Sequence, residues 1–254
     1  MPIVTLTTDL GTKDFYAGVL KGQILASNPD ASIIDITHDI PAYNIIQGAY
    51  TIRNAFPTFP EGTIHVISVD SSEKEDGRLL LVKRKGQFFI MPDNGLISLI
   101  FDHSPGDVYQ LEKNRDGVDP FNRVVSDTIK AISSGRVPAE IGRETTNYQQ
   151  RTILHPVLTG SVIRGTIIHI DNFDNAMVNV SKELFNGAAE NGSFEIIFNR
   201  NIVSQIHAHY SDVLEGEMLC RFNGSELLEI AINKGKAASL LGLQVGGAVI
   251  IDFG

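Results

Sequence analysis

Short runs of apolar, often β-branched residues alternate with stretches where apolar side chains recur every three or four positions through the first half of the chain. That rhythm predicts alternating strands and helices. Ile3-Val4-Thr5-Leu6-Thr7 reads as a first strand and residues 15–27 as a helix. A strand at 32–36, a helix at 45–55 and a strand at 63–69 continue the pattern. Strands at 79–83 and 87–91, a short helix over 95–101 and a helix near 125–134 complete it. Asn28-Pro29-Asp30 and Pro57-Thr58-Phe59-Pro60-Glu61-Gly62 carry the turn signals between elements. The expected product is an α/β domain with a mostly parallel sheet and helices on both faces.

The second half has another rhythm. Residues 165–170, 177–180, 193–198, 201–208, 217–221, 227–233 and 248–253 read as strands separated by turns, without long helical periodicity. A smaller, all-β, barrel-like domain is predicted there. Between the two lies the polar stretch that includes Thr145-Thr146-Asn147-Tyr148-Gln149-Gln150. The division expected is an N-terminal α/β domain over 1–146, a linker over 147–160 and a C-terminal β domain over 161–254.

Composition narrows the function classes. The 254 residues are 43% hydrophobic and 20% charged, enough for a sizeable core, and the formal net charge is -9. Nucleic acid and anionic membrane surfaces are poor partners for that charge; a small cationic or zwitterionic ligand suits its sign. A single cysteine, Cys220, excludes an internal disulfide and fits a reducing compartment. With neither a signal pattern nor a long apolar run, a cytoplasmic location is expected.

Candidate chemistry begins at the first strand's end, in Thr7-Thr8-Asp9-Leu10-Gly11-Thr12-Lys13-Asp14. Ligands of open α/β sheets bind at the carboxyl ends of strands, so Asp9 and Asp14 are site candidates. Asp14, just before the helix, reads equally as an N-cap. Asp70 ends the strand at 63–69 and points to the same crevice. In the second half, Asp171-Asn172-Phe173-Asp174-Asn175 reads either as a hairpin turn or as a ligand cluster. Phe173 offers a face for a planar ring, and the Asn175 amide offers a donor and an acceptor. Tyr210-Ser211-Asp212 and Asn223-Gly224-Ser225 add weaker polar segments. His207-Ala208-His209 places two imidazoles on one face if the segment is a strand, more simply a surface pair than a metal site. No CxxC, HExxH, phosphate loop or Gly-x-Ser-x-Gly elbow occurs. Neither a metal nor a separate cofactor is expected.

Taken in order, several segments resemble the S-adenosyl-L-methionine hydroxide adenosyltransferase family, which includes hydrolases and the related fluorinating and chlorinating enzymes. They are Thr8-Asp9-Leu10-Gly11 with Asp14; Asp35-Ile36-Thr37-His38-Asp39-Ile40-Pro41; Phe59-Pro60-Glu61-Gly62-Thr63-Ile64-His65-Val66; Pro92-Asp93-Asn94-Gly95-Leu96; Ile170-Asp171-Asn172-Phe173-Asp174-Asn175; and Glu229-Ile230-Ala231-Ile232-Asn233. The resemblance implies a homotrimer with S-adenosylmethionine bound as substrate at subunit interfaces. It implies that Asp9 holds the ribose hydroxyls with Tyr43 against the ribose, and it puts Asn94 among the substrate-binding positions. Phe173, Asn175, Tyr210 and the backbone near Asn233 would bracket adenine, and Asp14, Asp171 and Ser225 the methionine end. The implied reaction is attack of water at ribose C5′, giving adenosine and methionine.

The chain departs from the family pattern where water is activated. Asp70 matches the expected aspartate, but Asp70-Ser71-Ser72-Glu73-Lys74 replaces Asp-Pro-Gly-Val-Gly, and the arginine arrives one residue late, at Arg78. Near Asp119-Pro120-Phe121-Asn122-Arg123, Asn122 stands where the family's histidine is expected. An amide does not take a proton as imidazole does. The expected catalytic set is therefore Asp70, Arg78 and Asn122. Two alternatives stay open: a non-catalytic protein binding S-adenosylmethionine or adenosine, and a halide-using enzyme with Ser71 and Ser72 at an anion pocket.

Overall fold

The computed structural model describes residues 1–71, 77–101, 104–112, 120–152, 155–189 and 192–254. The chain divides into two compact units, Met1–Thr152 and Ile153–Gly254.

The first unit is built on a seven-stranded sheet: β1 (Ile3–Thr8), β2 (Ser32–Thr37), β3 (Ile64–Ser68), β4 (Leu79–Arg84), β5 (Gln87–Pro92), β6 (Asp107–Leu111) and β7 (Gly142–Glu144), in the order β2-β1-β3-β5-β4-β6-β7. The β2-β1-β3-β5 portion is parallel, and β4, β6 and β7 extend it by antiparallel pairing. The helices are α1 (Tyr16–Ser27), α2 (Ile45–Ala55), α3 (Leu96–Phe101) and α4 (Pro120–Ser133). Alternation along the buried strands sorts them into two layers. Val4, Leu6, Ile64 and Val66 pack with Leu20 and Ile24 of α1 and Val125 and Ile129 of α4. The opposite face holds His65 and Phe89, the latter edge-on to Phe101 of α3. β1 leads to β2 on one side of the sheet, whereas β3 leads away to β4 and β5 on the other. The C-terminal ends of β1 and β3 thus form a topological switch point, where such sheets open a crevice.

The second unit contains β8 (Val157–Thr159), β9 (Val162–Ile170), β10 (Ala176–Ser181), β11 (Glu195–Phe198), β12 (Asn201–Val203), β13 (Met218–Phe222), β14 (Leu227–Ile232) and β15 (Ala248–Asp252), with α5 (Lys182–Ala188) and α6 (Ala237–Leu241). The antiparallel order is β12-β11-β15-β9-β10-β14-β13, with β8 beside β9. β9 pairs with β15 along its first half and with β10 along its second, bending the sheet around a core of Ile163, Ile167, Val178, Ile196, Phe198, Ile230, Val249 and Ile251. The result is barrel-like.

Several elements escaped the sequence pattern. β6, β7 and β8 are too short to show alternation, and α5 and α6 have too few turns to show a period. The strand expected over 201–208 stops at Val203. His207 and His209 therefore do not share a strand face: the His207 N–H donates to the Cys220 carbonyl, and His209 caps the single 3₁₀ turn Tyr210–Asp212. No group of three or more metal-ligating side chains occurs among the described residues. No described helix is long and apolar enough to cross a membrane.

Candidate functional site

A cleft of about 1110 Å³ opens at the switch point of the first unit. Its floor is the C-terminal end of β1 and β3, through Asp9, Leu10, Ser68, Asp70 and Ser71, with Ala42 and Tyr43 beside them. One wall is α1, through Tyr16, Val19 and Gln23, and the facing wall is the start of α4, through Phe121, Asn122 and Arg123. On α1, Ala17, Leu20 and Ile24 turn into the core, leaving Tyr16, Val19 and Gln23 on the stripe that faces the cleft.

The floor is held by one carboxylate. Asp9 Oδ2 accepts the Tyr43 N–H at 2.9 Å and the Asp70 N–H at 3.1 Å. Both donors sit in the left-handed region, Tyr43 at φ 65° and Asp70 at φ 49°. For bulky Tyr43 that conformation costs roughly 1–2 kcal/mol, whereas aspartate tolerates it better; charge-assisted bonds from Asp9 hold both backbones where the two loops converge. Asn94 works from the other side: its Nδ2 donates to the Val69 carbonyl at 3.0 Å and the Asp70 carbonyl at 3.3 Å. Ser68 and Ser71 hydroxyls meet at 3.0 Å and close the same turn.

Behind the floor, Thr8 Oγ1 lies 2.8 Å from His38 Nδ1, and His38 Nε2 lies 3.1 Å from Asp35. Lys21 completes the series at 2.6 Å from Asp35. Partial burial pushes Asp35 up, but the Lys21 hydrogen bond and the neighbouring His38 hold it below the usual carboxylate value.

Asp9, Tyr43, Asp70 and Asn122 thus line one cleft, together with Arg123. Arg78 and Asn94 are not among its lining residues. The Arg78 guanidinium lies 2.5 Å from the wholly buried carboxylate of Asp93, which also accepts the Gln149 N–H at 2.6 Å. Asp14 is exposed and outside the lining; it does not cap α1, whose N-cap position is Phe15 with no side-chain hydrogen bond. Ser72 lies outside the described residues. The described residues lining the cleft include no histidine. Sequence reasoning missed the α1 wall. Its signal was present: Phe15, Tyr16 and Val19 are apolar positions off the stripe that Ala17, Leu20 and Ile24 bury, and they are left partly exposed after the core is satisfied.

In the second unit, the turn between β9 and β10 is built by Asp171. Its Oδ1 accepts the Phe173 and Asn175 N–H groups at 2.9 and 2.8 Å, and its Oδ2 accepts Asn175 Nδ2 at 3.3 Å. The hairpin reading therefore holds for Asp171, whose carboxylate shapes the turn; the tip, Phe173, is 74% exposed and Asn175 is buried. Asp174 caps α6 by accepting the Ser239 N–H at 2.7 Å. The Tyr210 hydroxyl donates to buried Glu229 at 2.6 Å, and the Arg221 guanidinium covers its ring at 4.6 Å. Burial, with the Glu229 hydrogen bond, pushes the Tyr210 hydroxyl up to about 12. Asn233 ties its amide to the Val213 carbonyl at 2.9 Å, and Ser225 sits exposed in the tight Asn223 turn.

This geometry has relatives. An (R)-S-adenosyl-L-methionine hydrolase of Methanocaldococcus jannaschii is 30% identical over 87% of this chain and 79% of its own. Another of that name, from Thermus thermophilus, is 24% identical over 96% of each chain, and a fluorinase of an Actinoplanes species is 24% identical over 71% and 72%. Among solved structures, an uncharacterized conserved protein from Thermotoga maritima superposes with a TM-score of 0.88 at 25% identity, covering 98% of this chain and 99% of that one. Residues 4–136 match the SAM hydroxide adenosyltransferase N-terminal domain and residues 165–250 the C-terminal domain. With both domains matched in order across the two units, the chain belongs to the SAM hydroxide adenosyltransferase family.

Proposed function

We propose that this protein hydrolyses S-adenosyl-L-methionine to adenosine and L-methionine. The observation that carries the reading is the switch-point cleft: Asp9 and Asp70 stand side by side on its floor, below the wall bearing Asn122 and Arg123. Relatives named (R)-S-adenosyl-L-methionine hydrolase support it.

The chemistry asks little covalent work of the protein. Water oxygen forms a bond to C5′ as the C5′–S bond breaks; the electron pair returns to sulfur, leaving neutral methionine, and the water releases one proton. The sulfonium is already a good leaving group, so alignment and desolvation dominate. Asp70 orients the water and accepts its proton, Asn122 supplies a hydrogen bond, and Asp9 uses the oxygen not spent on the backbone toward the ribose. In this reading Tyr43 lies against the ribose, Phe173, Asn175, Tyr210 and Asn233 belong to the adenine side, and Asp14, Asp171 and Ser225 to the methionine end. The resemblance extends it to a homotrimer with each site completed by a neighbouring subunit.

A second reading, binding without turnover, is favoured by one observation: Arg78 is engaged by Asp93 rather than lining the cleft. One experiment separates the two. Purified protein is incubated with S-adenosylmethionine, and adenosine and methionine are quantified by chromatography for the wild type and Asp70→Asn. Asparagine tolerates the left-handed backbone at this position, so the substitution removes the charge without breaking the turn. Equal yields of both products, with kcat reduced at least ~10²-fold in Asp70→Asn and KM nearly unchanged, are expected. Intact substrate recovered bound to wild-type protein supports the second reading instead.

A further inference from the structure

Asp70 is clamped from both sides of its own peptide. Its N–H is held by Asp9 Oδ2 at 3.1 Å, and the carbonyls before and after it, those of Val69 and Asp70, are held by Asn94 Nδ2 at 3.0 and 3.3 Å. Between these two clamps the residue sits at φ 49°, a left-handed conformation that is uncommon outside glycine, though aspartate tolerates it better than most residues. Asn94 is itself fixed: it stands where β5 gives way to α3, and its Oδ1 accepts the Leu96 N–H at 3.3 Å. Its neighbour Asp93 is locked by Arg78 and Gln149. All of the observed side-chain bonds of Asn94 run to backbone.

We infer that Asn94 is a positioning residue for the hydrolysis proposed above: it acts through Asp70, aiming that carboxylate into the cleft, rather than by touching the substrate. Arg78 belongs to the same support, one residue further back, through Asp93. This gives the displaced arginine a role that does not need it at the water. A reacting side chain whose backbone is fixed by surrounding hydrogen bonds is kept ready for its ligand. If the side chain moves by about 1 Å the alignment of the attacking water is lost, and rate falls on the order of 10²-fold.

The inference rests on the hydrolase reading, and the test keeps the two apart. Asn94→Ala and the isosteric Asn94→Asp, which keeps an acceptor for Leu96 but loses the donor to both carbonyls, are compared with Asp70→Asn and with the double variant Asn94→Ala/Asp70→Asn. The expected result is a kcat reduced roughly 10- to 100-fold by either Asn94 change with KM within about twofold. The double variant should be no slower than Asp70→Asn alone, because the effect passes through that carboxylate. A raised KM, or losses that multiply in the double variant, would make Asn94 a substrate ligand and overturn the inference. If the wild type forms no adenosine, the hydrolase reading fails by itself. The clamp is then judged from crystal structures of wild type and Asn94→Asp: Asp70 leaving the left-handed region in the variant supports it, and Asp70 keeping its backbone there refutes it.

Discussion

One oxygen of Asp9 serves two backbone N–H groups, which explains why an acid ends β1 independently of any ligand. The sequence marked Asp9 and Asp70 as candidates because both follow strands, but nothing in it reports that Tyr43, 34 residues from Asp9, shares the same oxygen. His65 shows the same gap between legibility and role. It is fully buried in β3, 2.7 Å from the Thr5 hydroxyl and stacked on Phe89. Burial pushes its imidazole down from 6.5 to about 4, against a raising hydrogen bond from Gln87. The unfolded chain therefore binds this proton near pH 6.5 and the folded chain only near pH 4. Stability is full above the unfolded value and is lost as pH falls through this window, by on the order of 3 kcal/mol. Urea unfolding between pH 7 and 4 should show this slope in wild type and a flatter one in His65→Gln; parallel slopes would remove His65 from the account.

At the scale of elements, long periodic segments were legible and short ones were not. α1, α2 and β1 to β5 follow directly from apolar spacing. α4 begins at Pro120, five residues before the periodicity revealed it, and that extra turn carries Asn122 and Arg123 to the cleft. β6, β7 and β8 depend on partners supplied by the rest of the sheet, so their five, three and three residues carry little signal of their own. The turn entering β6 depends on Gly106 at φ 99°, where an added Cβ would run into the Lys83 backbone carbonyl. Gly11, at φ 70°, meets nothing within 4 Å. Gly106→Ala should therefore cost about 3 kcal/mol or more, and Gly11→Ala only about 1. Thermal unfolding of the two variants checks this, and equal shifts in Tm would mean that the turn entering β6 yields more readily than its geometry implies.

Each unit of the whole molecule carries its own apolar core, and Cys220 reports on the second. It is wholly buried in β13, and burial pushes its thiol up to about 12. The thiolate is the reactive form, so the folded protein should resist a thiol reagent at neutral pH and be labelled only as this unit opens in urea. Rapid labelling of the native protein would show that the barrel-like core is looser than its packing implies. By itself the sequence determined the two-part architecture, the family and the strand ends where acids stand, because apolar periodicity and ordered motifs are local properties of the chain. Only the tertiary structure decided which polar side chains are spent on the backbone. Asp9, Asn94 and Asp171 hold turns, Arg78 neutralises buried Asp93, and Asp70 is left in the cleft. Asp171 finds its partners within its own turn, but those of Asp9, Asn94 and Arg78 are distant in sequence and become neighbours only when the sheet assembles.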